Sequence, residues 1–147
     1  MERREFLLAS MALGLTACAP SGPGVVTIVA QGAAGMNAGS GGDRPLTLQI
    51  VQMRSAGAFD GADFFALQNP QAALGGEFIK ADQIVLTAGA AKTLAIGLDA
   101  GTTVIGVIAG YLDPAGKNFR AKAAVSATES VTFNVTVTRS GVTMSAA

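Results

Sequence analysis

The chain has 147 residues, half of them apolar and 14% charged, with ten basic and ten acidic side chains that cancel. That balance excludes the basic footprint of a nucleic-acid binder and a polybasic membrane patch. Histidine is absent, so the usual general base and metal ligand is missing.

The first residues read as an export signal. Arg3-Arg4-Glu5-Phe6-Leu7-Leu8 supplies a charged start, a brief apolar run follows, and Leu15-Thr16-Ala17-Cys18 has the form of a lipobox. In a lipobox the thiol, here the chain's single cysteine, receives diacylglycerol and becomes residue one. A covalent diacylglycerol and an N-acyl chain on Cys18 are thus the only non-protein groups expected, with no other cofactor. A plain secretory signal would leave Cys18 as an idle thiol in an oxidising compartment. The run from Phe6 to Ala17 is too short to span hydrocarbon, which takes roughly 20 residues. Each buried methylene contributes about 0.8 kcal/mol, so two or three acyl chains hold a protein on a membrane essentially permanently. Arg-Arg-x-Phe-Leu also looks like the core of a Tat signal, but Glu2 and Glu5 offset the arginines, and the Sec and Tat routes both stay open. Ala19 stands where an inner-membrane retention signal often has Asp, which favours the periplasmic face of the outer membrane. Residues 1–18 are therefore the signal, 19–24 (Ala-Pro-Ser-Gly-Pro-Gly) a flexible tether, and 25–147 a single domain.

From Val25 onward the pattern predicts strand after strand. Val25–Val29 is rich in β-branched residues. Leu46, Leu48 and Ile50 alternate with Thr47 and Gln49, and Leu94, Ile96 and Leu98 repeat that period of two. Val104–Leu112 is apolar on both faces, as in a central strand covered on each side, with Gly106 and Gly110 marking close approach of a neighbour. Asp113-Pro114-Ala115-Gly116 is a turn into a strand over Phe119–Val125, and Val131–Thr138 alternates cleanly. Short strands separated by turn signals predict an all-β sandwich. One stretch, about 59–75, breaks the alternation. Asp60 is placed to cap a short helix with Asp63 complementing its dipole, and Ala72–Leu74 adds a second turn, so a helical insertion is predicted between sheet and loop.

No catalytic constellation can be assembled. Ser40 in Ala38-Gly39-Ser40-Gly41-Gly42 lacks the first glycine of a nucleophile elbow, and the same stretch lacks the Gly-Lys-Ser/Thr ending of a P-loop. Asp60 and Asp63 are the only close carboxylate pair, too few oxygen ligands for a hard cation, so no metal site is expected. The distinctive feature is the connection from about Gly32 to Arg44. A hairpin needs only two to five loop residues, and connections over about a dozen are usually functional or disordered. Met36 reads there as an exposed, adaptable apolar group of the type used at binding surfaces.

Several blocks occur together with the lipobox. They are Pro45-Leu46-Thr47-Leu48-Gln49-Ile50-Val51-Gln52-Met53, then Phe59 with Ala62-Asp63-Phe64-Phe65-Ala66-Leu67, and Ile105-Gly106-Val107-Ile108-Ala109-Gly110-Tyr111-Leu112-Asp113. In this order they resemble the type VI secretion outer-membrane lipoprotein family (TssJ, SciN, VasD) over nearly all of the mature chain. The family's tryptophan-arginine after the turn is here Phe119-Arg120. The resemblance implies a transthyretin-like two-sheet β-sandwich with a short helical insertion after the second strand. It implies a structural, non-enzymatic role in the trans-envelope complex. The partner would be the periplasmic C-terminal region of the inner-membrane protein TssM, bound through the loop between the first two strands. By position that loop contributes Met36, Asn37, Ala38, Gly39, Ser40, Gly41, Gly42 and Asp43, and neither a nucleic acid nor a small-molecule substrate is expected. Two other classes remain at this point. One is an envelope lipoprotein with an immunoglobulin-like sandwich that binds a small ligand or peptide; the other is a lipid-anchored enzyme, for which no base is on offer.

Overall fold

The computed structural model describes residues 22–147; the signal segment 1–18 with its Arg3-Arg4 pair and Cys18, and the tether residues 19–21, lie outside the described residues. Tether residue Gly24 already belongs to the domain. Its N–H donates to the Ala127 carbonyl at 2.7 Å, its own carbonyl accepts from the Leu98 N–H, and a Cβ there would collide with the Glu129 backbone.

β1 (Val25–Gly32) then enters a four-stranded sheet between β6 (Ala91–Gly97) and β9 (Val131–Val137), with β10 (Val142–Ala146) outside β9. β1 pairs antiparallel with β6 and parallel with β9. The second sheet runs β5 (Phe78–Leu86), β4 (Leu46–Met53), β7 (Val104–Ala109), β8 (Arg120–Ala124), all antiparallel. Between β1 and β4 the short β2 (Ala38–Gly39) and β3 (Gly42–Asp43) form a hairpin of their own. The predicted two-sheet sandwich is thus the observed fold.

The alternation read from the sequence follows from this layering. Val26, Ile28 and Ala30 of β1 face Leu46, Leu48 and Ile50 of β4, Ile105, Val107 and Ala109 of β7, and Phe133, Val135 and Val137 of β9 in one core between the sheets. β4 and β7 are apolar on their other face as well, because a second cluster lies behind them: Val51, Met53 and Ile108 pack under Phe59, Leu67 and Leu74 of the insertion. Gly106 is a close approach, as predicted, since a Cβ there would stand 2.8 Å from Met53 Cε and from the Phe59 ring. Gln52 is buried at the end of β4 and ties the sheets together. Its Nε2 donates to the Gly97 carbonyl at 3.0 Å while its Oε1 accepts from the Asp99 N–H at 2.8 Å and the Thr102 hydroxyl at 2.9 Å.

The insertion is a chain of short pieces instead of one helix: α1 (Gly57–Gly61), a 3-10 turn at Ala66–Gln68, α2 (Pro70–Leu74) and a second 3-10 turn at Gly75–Glu77. Although the helix breaks at Ala62, Phe59 and Leu67 from separate pieces reach the same cluster. Asp60 does not cap α1; the Ala58 N–H in its first turn donates to the Glu77 carboxylate at 2.8 Å, and Asp60 instead pairs with Lys122 of β8. Asp63 does cap, one piece later: its carboxylate accepts the Ala66 N–H at 2.8 Å. Arg120, beside it on the sheet, donates to the carbonyls of Phe59 and Ala62 and so fastens the end of α1. Two strands carry too little alternation to be predicted. β5 is an edge strand mixing Lys80, Asp82 and Gln83 with apolar residues, and β10 is a short edge strand with small and polar residues. The predicted strand over Val104–Leu112 ends at Ala109, where Gly110 turns away by donating to the Thr47 carbonyl at 2.9 Å.

Candidate functional site

Successive long strands alternate in direction, which sorts the connections to two poles, apart from the insertion, which covers the outer face of the second sheet. The chain enters β1 at one pole, with the loops 98–103 and 125–130. At the other pole lie the β1–β4 connection, the turn 87–90, the loop 110–119 and the turn 138–141. Eight residues of β4 at about 3.3 Å each separate the poles by about 26 Å.

Within the β1–β4 connection the structure divides the predicted site residues into a base and a tip. Met36, expected to be exposed, is fully buried and belongs to the inter-sheet core. The reason is local: a side chain on residue 32 would collide with Met36 Sδ at 2.7 Å, so Gly32 opens the space that the thioether fills next to Leu86. Asn37 is also buried, at 4% exposure, and acts as a brace. Its Oδ1 accepts the Leu112 N–H at 2.9 Å from the neighbouring loop, and its Nδ2 donates to the Pro45 carbonyl at 3.2 Å. The Arg44 N–H donates back to the Asn37 carbonyl at 3.2 Å, and the Asp43 carboxylate accepts the Gly35 N–H at 2.7 Å. The long connection is therefore a stapled β-hairpin.

The tip comprises Ala38, Gly39, Ser40, Gly41, Gly42 and Asp43. Gly42 supplies the positive φ of 102° that closes the turn, and a side chain at Gly41 would meet open space. Every residue from Ser40 to Pro45 is exposed. This exposed edge carries the side chains of Asp43 and Arg44. It holds no nucleophile with a base. Two surface clefts, of about 450 and 390 Å³, lie at the opposite pole, lined by Ala124–Val131 residues and by Pro23, Leu98, Ala100, Gly101, Ala127 and Thr128. Glu129 is the only titratable group lining either, so neither assembles an acid–base pair. Among the described residues no three His, Cys, Asp or Glu side chains gather as ligands for a metal.

Sequence reasoning missed Leu112 and Gln52. Leu112 was absorbed into the predicted strand, and its exposure follows only from the strand's early end. Gln52 sits at a core-facing position of an alternating run, where a polar residue is the available signal.

Comparison with known proteins decides the family. The profile described as "Type VI secretion lipoprotein, VasD, EvfM, TssJ" matches residues 25–140, the whole sandwich apart from the last strand. The chain belongs to the type VI secretion lipoprotein family. Among solved structures it is similar to the type VI lipoprotein TssJ1 from Pseudomonas aeruginosa, at 27% identity and a TM-score of 0.78, covering 86% of this chain and 98% of that one. It is similar also to Serratia marcescens Lip, described as a membrane-bound component of the type VI secretion system, at 26% identity and a TM-score of 0.77 over 84% and 96% of the two chains. A structure described as the T6SS protein TssM C-terminal domain from EAEC contains the same fold, at 21% identity and a TM-score of 0.61 over 84% and 97%. No curated protein matched the sequence significantly. Within the family, Phe119-Arg120 stand where a tryptophan-arginine pair is expected. Here Phe119 stacks edge-on with Phe64 at 5.3 Å and Arg120 lies over its ring at 5.1 Å.

Proposed function

We propose that this type VI secretion lipoprotein is a structural anchor of the trans-envelope complex. Cys18 carries diacylglycerol and an N-acyl chain and fixes the domain on the periplasmic face of the outer membrane. The sandwich then presents the 38–43 hairpin to the periplasmic C-terminal region of a TssM-like inner-membrane protein, and no reaction is catalysed. The observation that supports this best is the opposition of the two poles. The chain enters β1 at one, and an exposed hairpin braced by Asn37 and Asp43 stands at the other. Six residues from Cys18 to Gly24 reach at most about 20 Å, so an anchored domain stays close to the membrane while its hairpin points into the periplasm. A braced hairpin also lowers the cost of binding. Ordering a free glycine-rich loop would cost about 1–2 kcal/mol per residue, and Met36 and Asn37 have already met that cost on folding.

The burial of Met36 and Asn37 dictates the experiment, since deleting them would damage the core. Gly41→Trp adds bulk where nothing lies within 4 Å and leaves the hairpin's base intact. The full-length lipoprotein carrying this change should fold normally and fail to co-purify the periplasmic part of TssM from membranes. Undiminished co-purification would move the binding surface away from the hairpin.

A further inference from the structure

Four large apolar side chains among the described residues remain well exposed: Val25, Phe65, Val85 and Leu112. Single exposed apolar residues need no explanation, whereas several on one side of a candidate binding element do. Leu112, 56% exposed, follows the buried Tyr111 and is held against the hairpin. Its N–H bonds to Asn37 Oδ1, and its Cδ2 lies 3.2 Å from where a side chain on Gly39 would begin. Two residues earlier, Gly110 donates to the Thr47 carbonyl, and Thr47 is the cross-strand partner of Val85, 49% exposed. A side chain on Gly110 would stand 3.7 Å from Gln68 Oε1, in the 3-10 turn that begins immediately after Phe65. Phe65 is the most exposed of the four, at 77%. Three of the four thus follow one rim, from the hairpin onto the outer face of the second sheet. The fourth, Val25, begins β1 at the opposite pole.

The rim is also stiff. Phe65 stacks edge-on against Phe64 at 5.4 Å, and Phe64 in turn against Phe119. The Asp63 cap and the bond from Gln68 Nε2 to the Phe64 carbonyl at 3.0 Å fix the backbone on either side. A rigid exposed aromatic loses little freedom on docking, and such groups form the energetic centre of protein interfaces. With Met36 committed to the core, the hairpin has no apolar anchor of its own. Resting on the reading of the hairpin as the TssM-binding element, we propose that Leu112, Val85 and Phe65 form the apolar half of the same interface. They are received by an apolar surface on the periplasmic part of the partner, next to the polar edge that engages the hairpin.

The test uses detergent-solubilised full-length lipoprotein and a purified periplasmic C-terminal fragment of TssM. Affinities are compared for the natural protein, Leu112→Glu, Leu112→Ala, Phe65→Glu, Gly41→Trp and Val25→Glu, with circular dichroism melts to verify folding. Leu112→Glu and Phe65→Glu should each weaken binding about tenfold or more, Leu112→Ala should act in the same direction without placing a charge in the interface, and Val25→Glu should bind normally. Normal binding by all three Leu112 and Phe65 variants, with loss in Gly41→Trp, would overturn the apolar rim and leave the hairpin reading standing. Normal binding by Gly41→Trp as well would overturn both.

Discussion

Burial pushes the Tyr111 phenol from 10.0 up to about 12, and its hydroxyl donates to the Thr138 carbonyl at 2.6 Å while Lys117 Nζ lies 4.7 Å over the ring. The unfolded phenol releases its proton near pH 10 and the folded one keeps it to about 12, so the native state binds more protons between those values. Stability therefore falls as pH rises through that window, and below pH 10 Tyr111 adds no pH dependence. Because the chain has one tyrosine and no tryptophan, the near-ultraviolet absorbance of tyrosinate reads this residue alone. The folded protein should titrate near pH 12; a midpoint near 10 would mean the ring is not packed as described. Met36 supplies a second test at this scale. Removing a fully buried thioether leaves a cavity beside Leu86, and Met36→Ala should destabilise the domain by about 2–5 kcal/mol in denaturant unfolding. An exposed binding methionine would cost almost nothing.

Arg120 is the side chain that fastens two carbonyls at the end of α1, which makes it a sensitive polar point of the insertion. Arg120→Met keeps an apolar stem against Phe119 but withdraws both bonds to the Phe59 and Ala62 carbonyls. Amide hydrogen exchange should then accelerate across residues 57–68 while β4 and β7 beneath stay protected; uniform protection would show that apolar packing alone holds α1. At this scale much was legible in advance. β1, β4, β6, β7 and β9 show in the sequence because each buries alternate residues, or both faces, against another layer. β5 and β10 were illegible because edge strands bury little and their partners are distant in sequence. The pieces of the insertion escaped prediction for a related reason: Asp60 has the composition of a cap, but Lys122, sixty-two positions away in the chain, claims its carboxylate. For the candidate site, the length of the β1–β4 connection singled out the segment but said nothing of its order. No local signal could show that Met36 enters the core over Gly32, or that Asn37 finds Leu112 seventy-five residues on.

On the scale of the whole molecule, two sheets of alternating strands make a spacer about 26 Å long between poles of different character. The chain enters at one pole, and a hairpin locked by the core occupies the other. That polarity is the central claim, and site-specific photo-crosslinking in intact cells tests it most directly. A photoreactive amino acid at Ser40, on the exposed tip, is compared with one at Thr128, exposed at the tether pole. The account predicts a crosslink to the periplasmic part of TssM from position 40 and none from position 128. A TssM crosslink confined to position 128 would contradict it.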